Sequence, residues 1–340
     1  MSEQVFAIAQ IGAQAGSFTA PGSAVAATFL MPLTGKVNPD LNRASAYPDL
    51  DRGRNTRNLA GTGYYGVREA KDTITLEARY EDIARILEQH WAGGVAATGV
   101  GPYTRLYPFE AVSPTIKPAT WELANIDAAG AQFRLVSTLV DQMTLGFAAV
   151  AAGQASPWTV SLNVLAVDRD ISTYTSSLSP LGTPETIQGF LSRFYEGPVA
   201  TAYASLPELA GSLKRFSITS QRHLVLRAYG SASDKATSFG FTAHSSVSFD
   251  LQVAVSTTAK TDLHDTWNAA SPVALGERRI RVQATGTSSK MFTIDGLAGI
   301  FAVPADEDNG ERVYKVTGEY ADDTTLSAPC QITIINNQAT

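Results

Sequence analysis

The sequence predicts a mainly β protein made of two tandem β-sandwich or half-barrel domains, each with one short flanking helix. Three observations carry this. The order strand, short helix, tryptophan occurs twice: T-I-T-L-E-A-R (Thr73–Arg79) leads to a helix ending on Trp91, and S-V-S-F-D-L-Q-V-A-V-S (Ser246–Ser256) leads to one ending on Trp267. Period-2 alternation, the mark of a half-buried strand, dominates the remainder. With 340 residues and 44% apolar content, the chain can fill a core in each of two domains of about 150 residues.

In chain order, the small-residue stretch Gly12–Ala27 predicts an extended arm or loosely held strand, followed by a first strand over Ala27–Leu33. Residues 34–71, dense in Asn, Pro, Asp, Arg and Gly, predict one long projecting loop. The next strand, Asp72–Arg79, sets Ile74, Leu76 and Ala78 on one face and Thr73, Thr75 and Glu77 on the other. Ile83, Ile86, Leu87 and Trp91 form an apolar stripe on the helix Tyr80–Trp91, with Glu81 and Asp82 in its first turn and Gly93–Gly94 at its end. Strands follow at Tyr103–Phe109, Thr115–Asn125, Gln132–Leu139, Thr144–Ala149 and Trp158–Val167. Residues 171–211, rich in Ser, Thr, Pro and Gly, predict a linker with a short helix at Glu185–Phe194.

The expected first domain is therefore 1–170 and the second 212–340. The second carries strands at Lys214–Ser220, Leu224–Tyr229, Ser245–Ser256, Arg278–Ala284, Met291–Ile294, Arg312–Tyr320 and Gln331–Ile335. In Ser245–Ser256, Val247, Phe249, Leu251, Val253 and Val255 face inward, and Ser246, Ser248, Asp250 and Gln252 outward. Leu263 and Trp267 lie four apart on the helix Ala259–Ala269. The run P-W-T-V-S-L-N-V in the first half is matched with P-C-Q-I-T-I-I-N in the second.

Net charge is −6, and each half carries −3, with 13 Lys and Arg against 16 Asp and Glu on either side of Thr175. Neither half has a basic patch suited to gripping phosphates. Charged residues make up 17% of the chain, below the usual level of about 25%, which leaves neutral surface for contacts. Cys330 is the only cysteine, so no intrachain disulfide forms. The start reads as no signal peptide, and Ala24–Leu33 is too short to span a bilayer, so the expectation is no membrane insertion.

G-T-G-Y-Y-G (Gly61–Gly66) has dinucleotide-binding spacing but is followed by a strand, so it reads as a loop tip. D-E-D-N-G-E (Asp306–Glu311) lacks a calcium loop's alternating oxygens and reads as a hairpin turn at Asn309–Gly310. His90, His223, His244 and His264 have no metal spacing, and His90 and His264 read as solvated helix surface. Cys330 reads as a small core residue. No catalytic set, cofactor site or metal site is expected, and the chain reads as not an enzyme. Arg43, Arg52, Arg54, Arg57, Tyr64, Tyr65 and Arg68 of the long loop suit an interface, because guanidinium forks bind carboxylates and carbonyls while tyrosines add contact area. A solvated loop is the alternative.

The N-terminal arm, the polar loop before the alternating strand, the helix Tyr80–Trp91, the strands Gln132–Leu139 and Trp158–Val167, and the second ending I-T-I-I-N-N together resemble the tail tube proteins (major tail proteins) of long, non-contractile-tailed bacteriophages. The plan is also similar to the single-domain tube protein of type VI secretion systems. The resemblance implies domains whose sheets join neighbours edge to edge around a channel. Three two-domain chains would form a ring of pseudo-sixfold symmetry, and stacked rings would form a tube in the virion tail, made in the host bacterial cytoplasm.

It also implies a tape-measure protein, a tail terminator and distal tail or baseplate proteins as partners, with DNA passing through without specific binding. Helix packing falls to Ile83, Leu87, Trp91, Leu263 and Trp267. The polar faces Thr73, Thr75 and Glu77, and Ser246, Ser248, Asp250 and Gln252, are assigned to the lumen or to outer solvent. A rival reading is a carbohydrate- or receptor-binding or capsid-decoration module, for which Tyr103, Tyr107 and Phe109 are the one compact aromatic cluster.

Overall fold

The computed structural model describes residues 7–13, 18, 20–34, 40–46, 64–91, 101–109, 116–125, 132–148, 155–171, 175–180, 184–210, 213–228, 235–265, 277–308 and 310–338. The protein is mainly β, with a large antiparallel sheet. The first half holds β1 (Ala7–Ala13), β2 (Phe29–Met31), β3 (Asp40–Ala46), β4 (Tyr64–Glu77), α1 (Ile83–Leu87), β5 (Tyr103–Pro108), β6 (Ala119–Asn125), β7 (Gln132–Ala148) and β8 (Thr159–Ile171). Then come β9 (Ser192–Pro198), β10 (Leu213–Gln221), β11 (Leu224–Arg227), β12 (Ser238–Phe241), β13 (Ser246–Ala254) and α2, which starts at Thr257–Ala259 and continues as a π-helical turn over Lys260–Asp265. The chain ends with β14 (Glu277–Thr285), β15 (Met291–Ala302), β16 (Ala305–Asp308), β17 (Glu311–Ala321) and β18 (Cys330–Asn336). Among the described residues, sixteen strands share one sheet, and β11 and β12 form a separate hairpin.

The halves repeat one pairing order. In the first, β3-β4-β8-β7-β6-β1 are neighbours, and in the second β10-β13-β17-β15-β14-β9 are. Registers agree as well: Trp121 faces Leu135 and Ala124 faces Gln132 in the first half, as Arg281 faces Asp295 and Ala284 faces Phe292 in the second, each 160 residues further on. The register shift between Val140 and Gln142 in β7 recurs between Ile300 and Ala302 in β15, again 160 residues on. A bulge adds one residue and redirects a strand, so its recurrence at matched positions marks the duplication more sharply than sequence likeness does. By pairing, β8 corresponds to β17, so the expected match of the P-W-T-V and P-C-Q-I runs is corrected. β18 instead continues along β15 where β17 leaves off.

The sheet does not stop between the halves. The C-terminal part of β7 pairs with β10, and β5 pairs with β18. One core cluster includes Ile74, Leu76, Leu145 and Trp158 together with Phe216, Phe249, Leu251 and Phe292. Trp158 sits at the meeting point, its ring centroid 5.0 Å from Phe147, 5.8 Å from Phe216 and 5.3 Å from Phe292. A smaller cluster holds the β11–β12 hairpin (Phe239, with Leu224 and Leu226) against Leu139, Leu165 and Val167 of β7 and β8.

Several expectations are corrected. The loop expected over 34–71 contains β3 and the first part of β4, which pair with each other from Asp40↔Lys71 to Ala46↔Tyr64, and residues 47–63 lie outside the described residues. The helix expected at Glu185–Phe194 is a 3-10 turn over Gly189–Leu191 followed by β9, which pairs with β14 inside the expected linker. The strands expected at Gln132–Leu139 and Thr144–Ala149 are one strand, and Met291–Ile294 extends to Ala302. Of the stretch expected as an arm, Gly12 and Ala13 close β1, which pairs with β6 along its whole length, and residues 14–17 and 19 lie outside the described residues. Val255, expected inside, is 39% exposed. Residues 266–276, with Trp267, lie outside the described residues.

Candidate functional site

The two polar strand faces read separately from the sequence belong to one surface. Residues directly opposite in an antiparallel pair share a face. Thr73, Thr75 and Glu77 on β4 stand opposite Asn163, Ser161 and Thr159 on β8. Those stand opposite Gln142, Thr144 and Gly146 on β7, which face Gln221, Thr219 and Ser217 on β10. These in turn face Ser246, Ser248 and Asp250 on β13, and Ser248, Asp250 and Gln252 face Glu319, Thr317 and Lys315 on β17. Six strands from both halves thus present a band of hydroxyl and amide side chains, with the core on the reverse side.

The band is tied together across strands. Thr73 Oγ1 donates to Asn163 Oδ1 at 3.0 Å, and Asn163 Nδ2 donates to Gln142 Oε1 at 2.7 Å. Thr144 and Thr219 hydroxyls lie 3.1 Å apart across the β7–β10 junction. The charges on the band are Glu69, Glu77, Asp250 and Glu319 against Lys71, Arg215 and Lys315. Gln252, expected to be open, is 8% exposed and lies between Arg215 and Lys315 on the neighbouring strands. At one corner a cleft of about 520 Å³ is lined by Lys71, Asp72, Thr73, Asp141, Asn163 and Leu224.

Behind the band, α1 is clamped by residues of the second half. Ile83, Ile86, Leu87 and Trp91 are buried as the helical stripe requires. Arg222, fully buried just after β10, donates from Nε to the His90 carbonyl at 2.7 Å and from Nη2 to the Trp91 carbonyl at 3.3 Å. Its guanidinium lies 3.8 Å from the centroid of the Phe109 ring. These contacts satisfy buried carbonyls of the turn that follows α1.

His90 is wholly buried, which corrects its reading as solvated surface. Its Nδ1 lies 2.7 Å from the Val140 carbonyl and its Nε2 2.7 Å from Ser220 Oγ. A carbonyl can only accept, so Nδ1 carries the proton and Nε2 accepts from the hydroxyl. Burial, then the charge of Arg222, lowers its pKa to about 3. Asp82, buried near the start of α1, is pushed up to about 6, mainly by burial, which the Arg79 guanidinium 3.8 Å away only partly offsets. At the same end of α1, Lys290 of the β14–β15 turn bonds Glu81 at 2.5 Å and Glu185 at 3.2 Å.

Of the expected interface residues, Arg43 lies on β3, and Tyr64, Tyr65 and Arg68 on β4, where Arg43 is paired with Arg68 and Ser45 with Tyr65. Arg52, Arg54 and Arg57 fall outside the described residues. Leu263 is buried, and Ala259 with it. Tyr107 and Phe109 are buried too, so the cluster with Tyr103 is a strand face rather than an open aromatic platform. Cys330 is fully buried on β18, and Asp308 and Glu311 close a two-residue hairpin in which Gly310 has φ +81°. Among the described residues no group of three or more His, Cys, Asp or Glu gathers to hold a metal ion, and no helix is long and apolar enough to cross a membrane. Sequence reading missed Arg222 and Trp158, whose roles depend on pairings between distant strands. No protein-family model matches the chain, and comparison with curated proteins finds no relative.

Proposed function

We propose that this protein is a structural subunit whose copies join edge to edge into rings that stack as a tube, in the manner of the tail tubes of long, non-contractile-tailed bacteriophages. In this reading three chains close each ring, the polar band lines the channel, and the β3–β4 hairpin reaches a neighbouring subunit or ring. DNA passes through during infection, and a tape-measure protein occupies the channel before it.

The observation that carries the reading is the band itself: an unbroken hydroxyl and amide surface that runs through both halves of a duplicated sheet. Four carboxylates against three cations leave it slightly negative. A phosphate backbone gains little there, because affinity for nucleic acid comes from neutralising phosphates and releasing their counterions. Such a wall lets a polyanion slide. Exposed sheet edges are a liability for a lone chain and an asset for a polymer.

Negative-stain electron microscopy of the purified protein, with light scattering over a concentration series, tests the proposal. Rings or hollow tubes are expected. A species that stays monomeric at the highest attainable concentration overturns it.

A further inference from the structure

We infer that the junction between the two halves of the chain is used a second time, between chains. The free edge of β3 on one copy pairs antiparallel with the β15–β16 edge of another, in a register that sets Asn42 opposite Ala302.

The duplication provides the template. Inside the chain, the bulged far end of β7 is covered by β10. The counterpart of that far end, 160 residues on, is the run from Ala302 into β16, and among the described residues β16 pairs with β17 alone. Ala305, Asp306 and Glu307 are exposed where the equivalent stretch of β7 is largely covered. The counterpart of β10 is β3, which among the described residues pairs with β4 alone. Each half therefore has both parts of the junction, and the chain uses one pair of them.

Register follows by matching core positions. Ile74 and Leu76 of β4 correspond to Leu251 and Val253 of β13, 177 residues on, through their partners Leu162 and Val160 on β8 and Val316 and Tyr314 on β17. Glu69 then corresponds to Ser246, so Asn42, opposite Glu69, corresponds to Gln221, opposite Ser246. Gln221 faces Gln142, whose counterpart is Ala302. The same step makes Arg43 the counterpart of Arg222.

The open edge is competent to pair. The Pro304 carbonyl accepts from Lys315 N at 3.0 Å, so the position that lacks an N–H turns that side toward β17. The amides of Val303, Ala305 and Glu307 then face the free edge. Asn42 and Ala302 fall at a non-hydrogen-bonded site, where Cα atoms approach to about 4.5 Å, close enough for a disulfide.

This inference rests on the assembly reading above, and cross-linking separates the two. Asn42→Cys and Ala302→Cys variants are purified apart, mixed and mildly oxidised, with the wild-type protein and its one buried thiol as baseline. A disulfide-linked dimer is expected, several-fold above either variant alone and above Ala302→Cys mixed with Thr261→Cys, an exposed site on α2. Equal linkage in the control, or none while scattering shows assembled protein, overturns the register and leaves the tube reading standing. Protein that never assembles overturns both. Hydrogen exchange on wild-type protein gives a readout free of folding artefacts: the amides of 303, 305 and 307 slow as assembly proceeds, and unchanged exchange in assembled protein overturns the inference.

Discussion

The two halves follow the same strand order, yet one is finished by the other and the second is not. At the first seam β10 covers the far end of β7, Arg222 closes the end of α1, and the β11–β12 hairpin buries its own small core against β7 and β8. At the second, among the described residues β16 (Ala305–Asp308) has β17 on one side only, and α2 exposes Thr257, Thr258, Lys260 and Thr261. The difference is one of supply rather than of local sequence: matched elements close where the chain furnishes a partner. Duplication thus displays within one polypeptide the contact proposed above between copies.

The sharpest way to break this comparison is at its arginines. Arg222→Ala removes two hydrogen bonds to buried carbonyls of the turn that follows α1, and the stacking on Phe109. A loss of about 3 kcal/mol or more is expected in denaturant unfolding, since each buried acceptor left unpaired costs about 1–3 kcal/mol. Arg43→Ala, at the matched position, should change the dilute protein by less than about 0.5 kcal/mol and raise the concentration needed for assembly. Equal destabilisation by both variants would mean that Arg43 is already used within the chain.

Acid sharpens the first seam alone. His90 has a folded pKa of about 3 against an unfolded value of about 6.5, so the folded state resists protonation. Its contribution is complete above pH of about 6.5 and is lost as pH falls toward 3, about 2 kcal/mol by pH 5. Asp82 has the opposite sign. Its folded pKa of about 6 exceeds the ordinary carboxyl value, so the native state takes up a proton first and regains stability as pH falls from about 6 toward 4. The two partly cancel in the wild type. Asp82→Asn should therefore steepen the loss of stability between pH 7 and 5, and His90→Gln should flatten or reverse it, as followed by chemical denaturation at each pH.

Why some of this was legible and some not is a matter of range. Ser246–Ala254 and the α1 stripe were readable because alternation and helical spacing are local, and each element buries its own apolar face. β7 looked like two strands because the bulge at Val140–Gln142 breaks the alternation. β15 looked short because Gly296 and Gly299 interrupt it. Gly296 is held there by the Tyr320 ring, against which any Cβ would collide. The β3–β4 pair was hidden by its polar composition, and β9 by a pattern that also suits a helix. His90 sits between Gln89 and Trp91, and only the fold shows that Gln89 too is buried, accepting from Trp121 Nε1 at 2.7 Å. Both stretches of the polar band were visible in isolation. Their union depends on the β7–β10 pairing, which no local window contains.

The finest test exchanges what the two edges carry. Gly146 on β7 meets β10 so closely that an added Cβ would lie 2.8 Å from Ser217 Cα and nearer still to the Phe216 carbonyl. Its counterpart, 160 residues on, is Asp306, which is exposed and, among the described residues, is covered by no second strand. Gly146→Ala should cost about 1–3 kcal/mol, the usual penalty for forcing atoms into a packed junction, read as a lowered midpoint of denaturant unfolding. Asp306→Gly should cost the dilute protein about 1 kcal/mol or less, the entropy of a glycine in a strand: the carboxylate it removes is exposed, and its partners are the half-exposed Lys315 and the Glu307 amide. In assembly the order reverses, because a glycine at 306 lets a second copy approach as closely as β10 approaches β7, and the concentration for ring formation should fall. If Asp306→Gly leaves assembly untouched, the β16 edge stays bare in the polymer, and the two seams are alike in descent but not in use.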